Sequence, residues 1–226
     1  MQKFRQHLSY HSILLGGLAL VAGTLLAWGN HITLSEIADR QNEDLNASIA
    51  QVVPDALHDN DMLTDTVSIS SEDKGSTKVY RARLAGSVSA IAFEVPAYGY
   101  SSPPIQLILG IDRNGSLLGV RVLSHAETPG LGDKIEEKKA DWIFSFTGKS
   151  LDDPSDKGWA VKKDGGIFDQ FTGATITPRG VVKAVHAGLQ FFAQHKTLML
   201  DETQHSDNSP GRRRKDETMD KEAGHV

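Results

Sequence analysis

The sequence predicts an α+β protein in which a single amino-terminal helix precedes one domain with an antiparallel sheet flanked by helices. Three observations predict this fold class. A long uncharged apolar run lies near the start, period-two alternation with closely spaced turns follows from Thr66, and a helical stripe of apolar residues follows Thr177. A length of 226 residues suits one main domain with attachments.

The composition excludes several classes of function. The chain has 24 basic and 29 acidic residues, a net charge of -5, and no basic stripe, so it lacks the clustered cations that bind nucleic acid. It has no cysteine, which excludes disulfides, thiolate metal sites, cysteine-ligated iron–sulfur clusters and cysteine nucleophiles. Its nine histidines form no spaced ligand pair, so the sequence predicts no metal site.

The first element is predicted to be a membrane-spanning helix over residues 12–32. These 21 residues carry no charge if histidine is neutral, and as a helix they extend about 31 Å, the thickness of one hydrocarbon core. A cleaved signal peptide is the alternative, but Trp28 follows the apolar run where a small-residue cleavage site is expected. Lys3 and Arg5 precede the span, which predicts cytoplasmic residues 1–11 and a periplasmic domain over residues 33–200, anchored in the bacterial inner membrane.

The elements of the domain follow from periodicity and turn residues. Residues 33–53 form an imperfect amphipathic pattern that ends before Pro54. Alternating or continuous apolar runs predict four strands, at residues 77–84, 87–95, 105–111 and 116–123. The last two form a hairpin around a turn that contains Gly115.

The second half of the domain is predicted to contain two helices and a short strand. Residues 133–146 are predicted to be helical and residues 159–162 to form a strand. A second helix begins with Thr177 as its cap and Pro178 at its first position. Its buried stripe comprises Val181, Val185, Leu189 and Phe192. Residues 201–226 carry 12 charged residues and no aromatic residue, which predicts a disordered tail.

Two segments carry residues that could hold a ligand. The loop of residues 124–133 reads Ser-His-Ala-Glu-Thr-Pro-Gly-Leu-Gly-Asp, and its glycines would let the backbone approach a flat or phosphorylated ligand. The other segment contains Thr172-Gly173-Ala174-Thr175, where small neighbours leave the Thr175 hydroxyl sterically open. Each segment taken alone is more typical of an ordinary turn than of a ligand site.

Together with the amino-terminal span, these segments resemble the FMN-binding domain family with covalently bound flavin. Within it, the chain is most similar to the G subunits of Rnf/Rsx ion-translocating electron transport complexes. The motif residues are His125, Glu127, Thr128, Gly130, Leu131 and Gly132 in the loop, and Asp169, Thr172, Gly173, Ala174 and Thr175 in the second segment. The second motif is similar to the Asp-x-x-Ser/Thr-Gly-Ala-Ser/Thr site that periplasmic flavin transferases recognise in their protein substrates. Residues 99–105 are similar to the family's Gly-Tyr-x-x-Pro-Ile segment.

The resemblance implies that Thr175 carries FMN through a phosphoester and that the other ten motif residues form the cofactor site. It further implies a flavoprotein subunit of a translocase that relays electrons between ferredoxin and NAD, with no substrate site of its own. The implied partners are the membrane, iron–sulfur and flavin subunits of the complex, a periplasmic flavin transferase and membrane lipid. Two alternatives stay open: the C subunit of a sodium-pumping NADH:quinone oxidoreductase, and an anchored extracytoplasmic scaffold without a cofactor.

Overall fold

A computed structural model describes residues 2–71 and 75–202 of the chain. The chain divides into two compact units, residues 1–46 and 47–226. Helix α1, Gln2–Val52, is continuous across this boundary, so the predicted span and the amphipathic segment after it form one helix that ends before Pro54. Within α1, Ile13–Leu34 has a mean hydropathy of 1.7 and is long and apolar enough to cross a membrane.

The sheet has five strands in sequence order, and each pairs with the next in antiparallel register. They are β1 (Thr66–Ser71), β2 (Gly75–Leu84), β3 (Ser87–Ala97), β4 (Ile105–Asp112) and β5 (Leu117–Ser124). The predicted strands and hairpin are therefore confirmed. The β4–β5 turn forms because Asp112 Oδ1 accepts the backbone N–H groups of Asn114, Gly115 and Ser116 at 2.8–2.9 Å.

The two faces of the sheet bury different elements. Leu107 and Leu109 face the main core, where helix α2 (Ile176–Met199) covers the sheet. Alternate residues of the same strand point to the opposite face. There Gly110 meets the last turn of α1, and a Cβ at this position would overlap the carbonyl oxygen of Val52. Glycine lets the end of α1 lie directly against the sheet.

Helix α2 buries the predicted apolar stripe and exposes Lys183, Gln190 and Gln194. The predicted cap is wrong. The helix begins at Ile176 with Thr175 as the residue before it, and the Thr177 hydroxyl instead donates a hydrogen bond to Glu127. The hydroxyl of this threonine therefore bonds to a residue distant in the sequence and does not cap the helix.

The predictions for residues 133–146 and 159–162 are wrong in type. Residues 133–146 contain two short 3-10 helices, Asp133–Ile135 and Asp141–Phe146, and no α-helix. Residues 159–161 form a bend and an isolated bridge from Val161 to Phe168, and residue 162 begins the 3-10 helix Lys162–Asp164, which follows the 3-10 helix Asp156–Gly158. Aromatic packing fixes this region: the Phe146 ring stacks on Phe168 at 4.7 Å and meets Trp142 edge-on at 5.3 Å.

The predicted disordered tail lies outside the described residues, apart from Asp201 and Glu202.

Candidate functional site

Three loops meet at one edge of the sheet. Strands β3 and β5 run in the same direction because each is antiparallel to β4, so the segments that follow them leave the sheet at the same edge. These segments are residues 98–101 and 125–132. Residues 171–175, which lead into α2, come to the same place, since Gly180 on the second turn of α2 lies against the Tyr98 carbonyl.

The segment before α2 contains a tight turn. The Ala174 amide donates to the Phe171 carbonyl at 3.1 Å, and Gly173 adopts φ +84°, a conformation that favours glycine. The Phe171 ring is buried and lies edge-on to Trp142 at 5.1 Å, while the Trp142 indole N–H donates to the Asp169 carbonyl at 2.8 Å. The turn is thus fixed on its inner side and presents Thr172 and Gly173 to solvent.

Thr175 stands at the amino terminus of α2 and is half-buried. A threonine in this position commonly caps the helix with its hydroxyl, but Thr175 makes no capping hydrogen bond. Among the described residues, no other hydrogen bond to its hydroxyl is present. The first turn of α2 carries no acidic residue, so the partial positive charge of the helix terminus is not offset within that turn.

The loop after β5 is held by its own backbone and by His125. The Glu127 amide donates to His125 Nδ1 at 3.0 Å, so Nε2 carries the ring proton and donates to Glu136 Oε1 at 2.9 Å. The Thr128 carbonyl accepts both the Leu131 and Gly132 amides at 3.1 Å. Gly130 within this turn has φ +79°.

The two predicted segments lie side by side. Leu131 exposes 43% of its surface, and its Cδ2 atom is 3.4 Å from the point where a Cβ on Gly173 would lie. This contact places the Gly-Leu-Gly part of the loop beside the turn that leads to Thr175.

Glu127 points into the protein instead of into solvent. Its side chain is buried, one carboxylate oxygen accepts the Ser101 amide at 2.9 Å, and the other accepts the Thr177 hydroxyl. The loop thereby contacts both residues 98–101 and the first turn of α2.

The remaining charged groups at the site are paired. The Gly130 amide, directed at the Asp133 carboxylate, holds the pKa of that group below its ordinary value of 3.8, and the Lys139 ammonium at 3.6 Å acts in the same direction. Asp169, predicted to lie in the site, is exposed and pairs with Lys162 at 2.6 Å. No cluster of His, Cys, Asp or Glu suited to a metal ion occurs among residues 2–71 and 75–202.

The sequence patterns did not single out Thr177 or Trp142 as site residues. Thr177 was assigned to capping because of its position before Pro178, and its true partner lies 50 residues away in the sequence. A half-buried aromatic such as Trp142 carries no local signal that its N–H holds the backbone of Asp169.

The site lies within a part of the chain that matches a known domain family. The profile of the FMN-binding domain matches residues 99–190, which include the three loops apart from Tyr98 and the first part of α2. The fold and the site therefore define an FMN-binding domain protein, and FMN is the cofactor that the domain indicates.

Related proteins identify the family more closely. The chain is 50% identical over 188 residues to the G subunit of the ion-translocating oxidoreductase complex of Cereibacter sphaeroides, with 83% of this chain and 85% of the relative covered. The G subunit of the same complex in Stutzerimonas stutzeri is 46% identical over 202 residues, covering 89% of this chain and 88% of the relative. The G subunit in Pseudomonas aeruginosa is 43% identical over 200 residues, covering 87% and 94%.

The chain belongs to the family of ion-translocating oxidoreductase complex G subunits. The predicted resemblance is thereby confirmed. Of the alternatives that the sequence left open, the relatives favour the G-type subunit over the C subunit of a sodium-pumping oxidoreductase. The match to the FMN-binding domain disfavours the second alternative, a scaffold without a cofactor.

Proposed function

We propose that the chain is the membrane-anchored flavoprotein subunit of an ion-translocating electron transport complex, with FMN attached to Thr175 by a phosphoester. The observation that supports the attachment site best is the Thr175 hydroxyl. It lies at the start of α2 without a capping hydrogen bond, inside the FMN-binding domain and beside the Leu131 loop.

The position suits a phosphoryl group for electrostatic reasons. The amino terminus of a helix carries a partial positive charge and unpaired N–H groups, and both favour an anion. Helix α2 has 24 residues and no acidic residue of its own in the first turn, so a phosphoester on Thr175 would lie at the positive end of the helix, with the Glu127 carboxylate that Thr177 binds as the nearby negative charge. Thr177, the other hydroxyl in the first turn, is fully buried and bonded to Glu127, which makes it a poor acceptor.

The other motif residues have roles that follow from their positions. Leu131 and Thr128 are exposed and could contact the flavin, Gly130 lets the loop turn with a positive φ, and Gly132 leaves room for the Glu127 side chain. Gly173 and Ala174 leave the approach to Thr175 free of bulky side chains. Asp169 and Thr172 are exposed, where a flavin transferase could recognise them.

Bound FMN would supply one- and two-electron transfer, while the chain supplies position and electrostatics. In the complex, the domain would relay electrons between neighbouring subunits on the route between ferredoxin and NAD. Covalent attachment would prevent the loss of FMN outside the cytoplasm. The span over residues 12–32, most of which lies in the apolar stretch Ile13–Leu34, would anchor the domain in membrane lipid, with residues 1–11 in the cytoplasm and residues 33–200 in the periplasm.

The attachment is tested by expressing the full chain with its flavin transferase and viewing denaturing gels under ultraviolet light. The wild-type chain should give a fluorescent band, and Thr175→Ala should give none at equal protein. Thr172→Ala removes the neighbouring hydroxyl and leaves the acceptor oxygen of Thr175, so its band should be weaker than that of the wild type but still present. A Thr175→Ala band as bright as that of the wild type would contradict the proposal.

The orientation is tested separately. Reporter fusions at residues 60 and 200 should be active only in a form that requires export, because Lys3 and Arg5 precede the span. A cytoplasmic signal at either position would overturn the topology and, with it, modification by a periplasmic enzyme.

A further inference from the structure

We infer that Glu127 is a positioning residue for the attachment of flavin to Thr175, acting through Thr177 and Ser101 and not by contact with the flavin. The inference rests on the proposed function. It concerns a side chain that the sequence grouped with the cofactor-binding residues, and it follows from where the carboxylate points and what surrounds it.

Both oxygens of the Glu127 carboxylate are engaged by protein groups. Oε1 accepts the Ser101 backbone N–H at 2.9 Å, and Oε2 accepts the Thr177 hydroxyl. Glu127 exposes only 5% of its surface and Thr177 none. A buried carboxylate needs such donors, and because both of its oxygens are bonded to protein groups and the side chain is almost wholly covered, it is not presented to a cofactor.

Two glycines surround the carboxylate closely. A Cβ on Gly99 would lie 2.5 Å from Oε1, and a Cβ on Gly132 would lie 2.7 Å from Oε2. These distances are shorter than any real contact, so both positions need glycine for the carboxylate to occupy its place. Residues 98–101, residues 125–132 and the first turn of α2 are therefore fitted around this one side chain.

The same contacts connect Glu127 to the acceptor. Thr177 is two residues after Thr175 in the first turn of α2, and Gly132 is the neighbour of Leu131, which lies against Gly173. Holding Thr177 sets the position of the helix start relative to the Leu131 loop. Without these hydrogen bonds, the contact of Leu131 with Gly173 would remain between the loop and the acceptor turn.

The hydrogen bonds of Glu127 predict which substitutions should slow flavin attachment and which should not. Glutamine at position 127 can accept the Ser101 N–H through its carbonyl and donate through its amide to the Thr177 oxygen, so both hydrogen bonds survive without the charge. Alanine at position 127 removes both hydrogen bonds. Thr177→Val keeps the size of the buried side chain and removes its hydroxyl, whereas Thr177→Ser keeps the hydroxyl.

The test measures the initial rate of flavin attachment to the full chain in cells that supply the flavin transferase, normalised to membrane-inserted chain. Glu127→Ala and Thr177→Val should slow attachment by about tenfold or more, because a displacement of about 1 Å at a reacting group is costly. Glu127→Gln and Thr177→Ser should stay within about twofold of the wild type. Asp55→Ala, which removes an exposed carboxylate 3.9 Å from His58 Nε2 and outside the three loops, is the control and should also stay within that range.

A purely structural role is distinguished by melting each variant before flavin is attached. The inference predicts slow attachment by Thr177→Val at temperatures at which the unflavinylated chain is fully folded. Wild-type attachment rates in both folded Thr177→Val and Glu127→Ala, with only a lower melting temperature, would overturn it.

If Thr175→Ala still carries flavin, the proposed function fails. If Thr175→Ala loses flavin while Glu127→Ala and Thr177→Val attach it normally, only the role of Glu127 fails.

Discussion

The sheet and the site edge of this domain are stabilised in different ways. Strands β1 to β5 are joined by continuous antiparallel ladders, and their alternating side chains pack on α2. Residues 125–175 contain only short 3-10 helices, turns and isolated bridges. Their positions depend on single side-chain contacts, such as those of Glu127, His125 and Trp142. Changes in the sheet should therefore affect stability first, and changes at the edge should affect the site first.

The largest expected effect on stability comes from the sheet. Phe93 is fully buried and packs against Phe191 at 5.6 Å, so Phe93→Ala should lower the free energy of unfolding by about 3–5 kcal/mol. Denaturant unfolding in detergent, followed by tryptophan fluorescence, measures this. Tyr100→Ala is the control, since Tyr100 is 76% exposed and should cost little. Equal losses for the two variants would contradict the assigned core.

An intermediate effect is expected where the two regions meet. A Cβ in Gly180→Ala would overlap the Tyr98 carbonyl oxygen, so α2 would have to move away from residues 98–101. We expect a loss of about 1–3 kcal/mol in the free energy of unfolding, together with slower flavin attachment. Gln190→Ala places the same residue on an exposed position of the same helix and should change neither quantity. Wild-type stability in Gly180→Ala would show that this close approach is absent.

The smallest effect is expected from the charge at Asp133. Its folded-state pKa lies below 3.8, so the ionised carboxylate stabilises the fold above that pH, and this stabilisation is lost as the pH falls through the lower folded value. Wild-type chain should be more stable than Asp133→Asn at neutral pH, and the difference should narrow below about pH 4. Thermal melting across pH checks this. A difference that widens with acid would contradict the assigned contacts with Gly130 and Lys139.

The same contrast explains which features the sequence could predict. Period-two alternation and the Asp112 turn are local signals, so strands β2 to β5 were predicted to within about two residues at each end. The two motifs were also recognisable as sequence. Their proximity was not, because the contact of Leu131 with Gly173 and the bond of Glu127 to Thr177 join residues more than 40 positions apart.

The errors arose in the region that tertiary contacts control. Residues 133–146 carry helix-forming residues, but their apolar side chains Ile143 and Phe146 are buried in the main core, where 3-10 turns place them. Thr177 had the local features of a cap, and a buried carboxylate from another loop took its hydroxyl. A competing long-range contact overrides local propensity in both cases.

The central claim is that Thr175, and not a neighbouring hydroxyl, carries FMN. Trypsin cleavage after Lys163 and Arg179 releases a peptide of residues 164–179 that contains Thr172, Thr175 and Thr177. Mass spectrometry of this peptide from the native chain should show an increase equal to FMN minus one water, and fragmentation should place the added mass on Thr175. An unmodified peptide from the flavin-containing complex, or added mass on Thr172 or Thr177, would contradict the account.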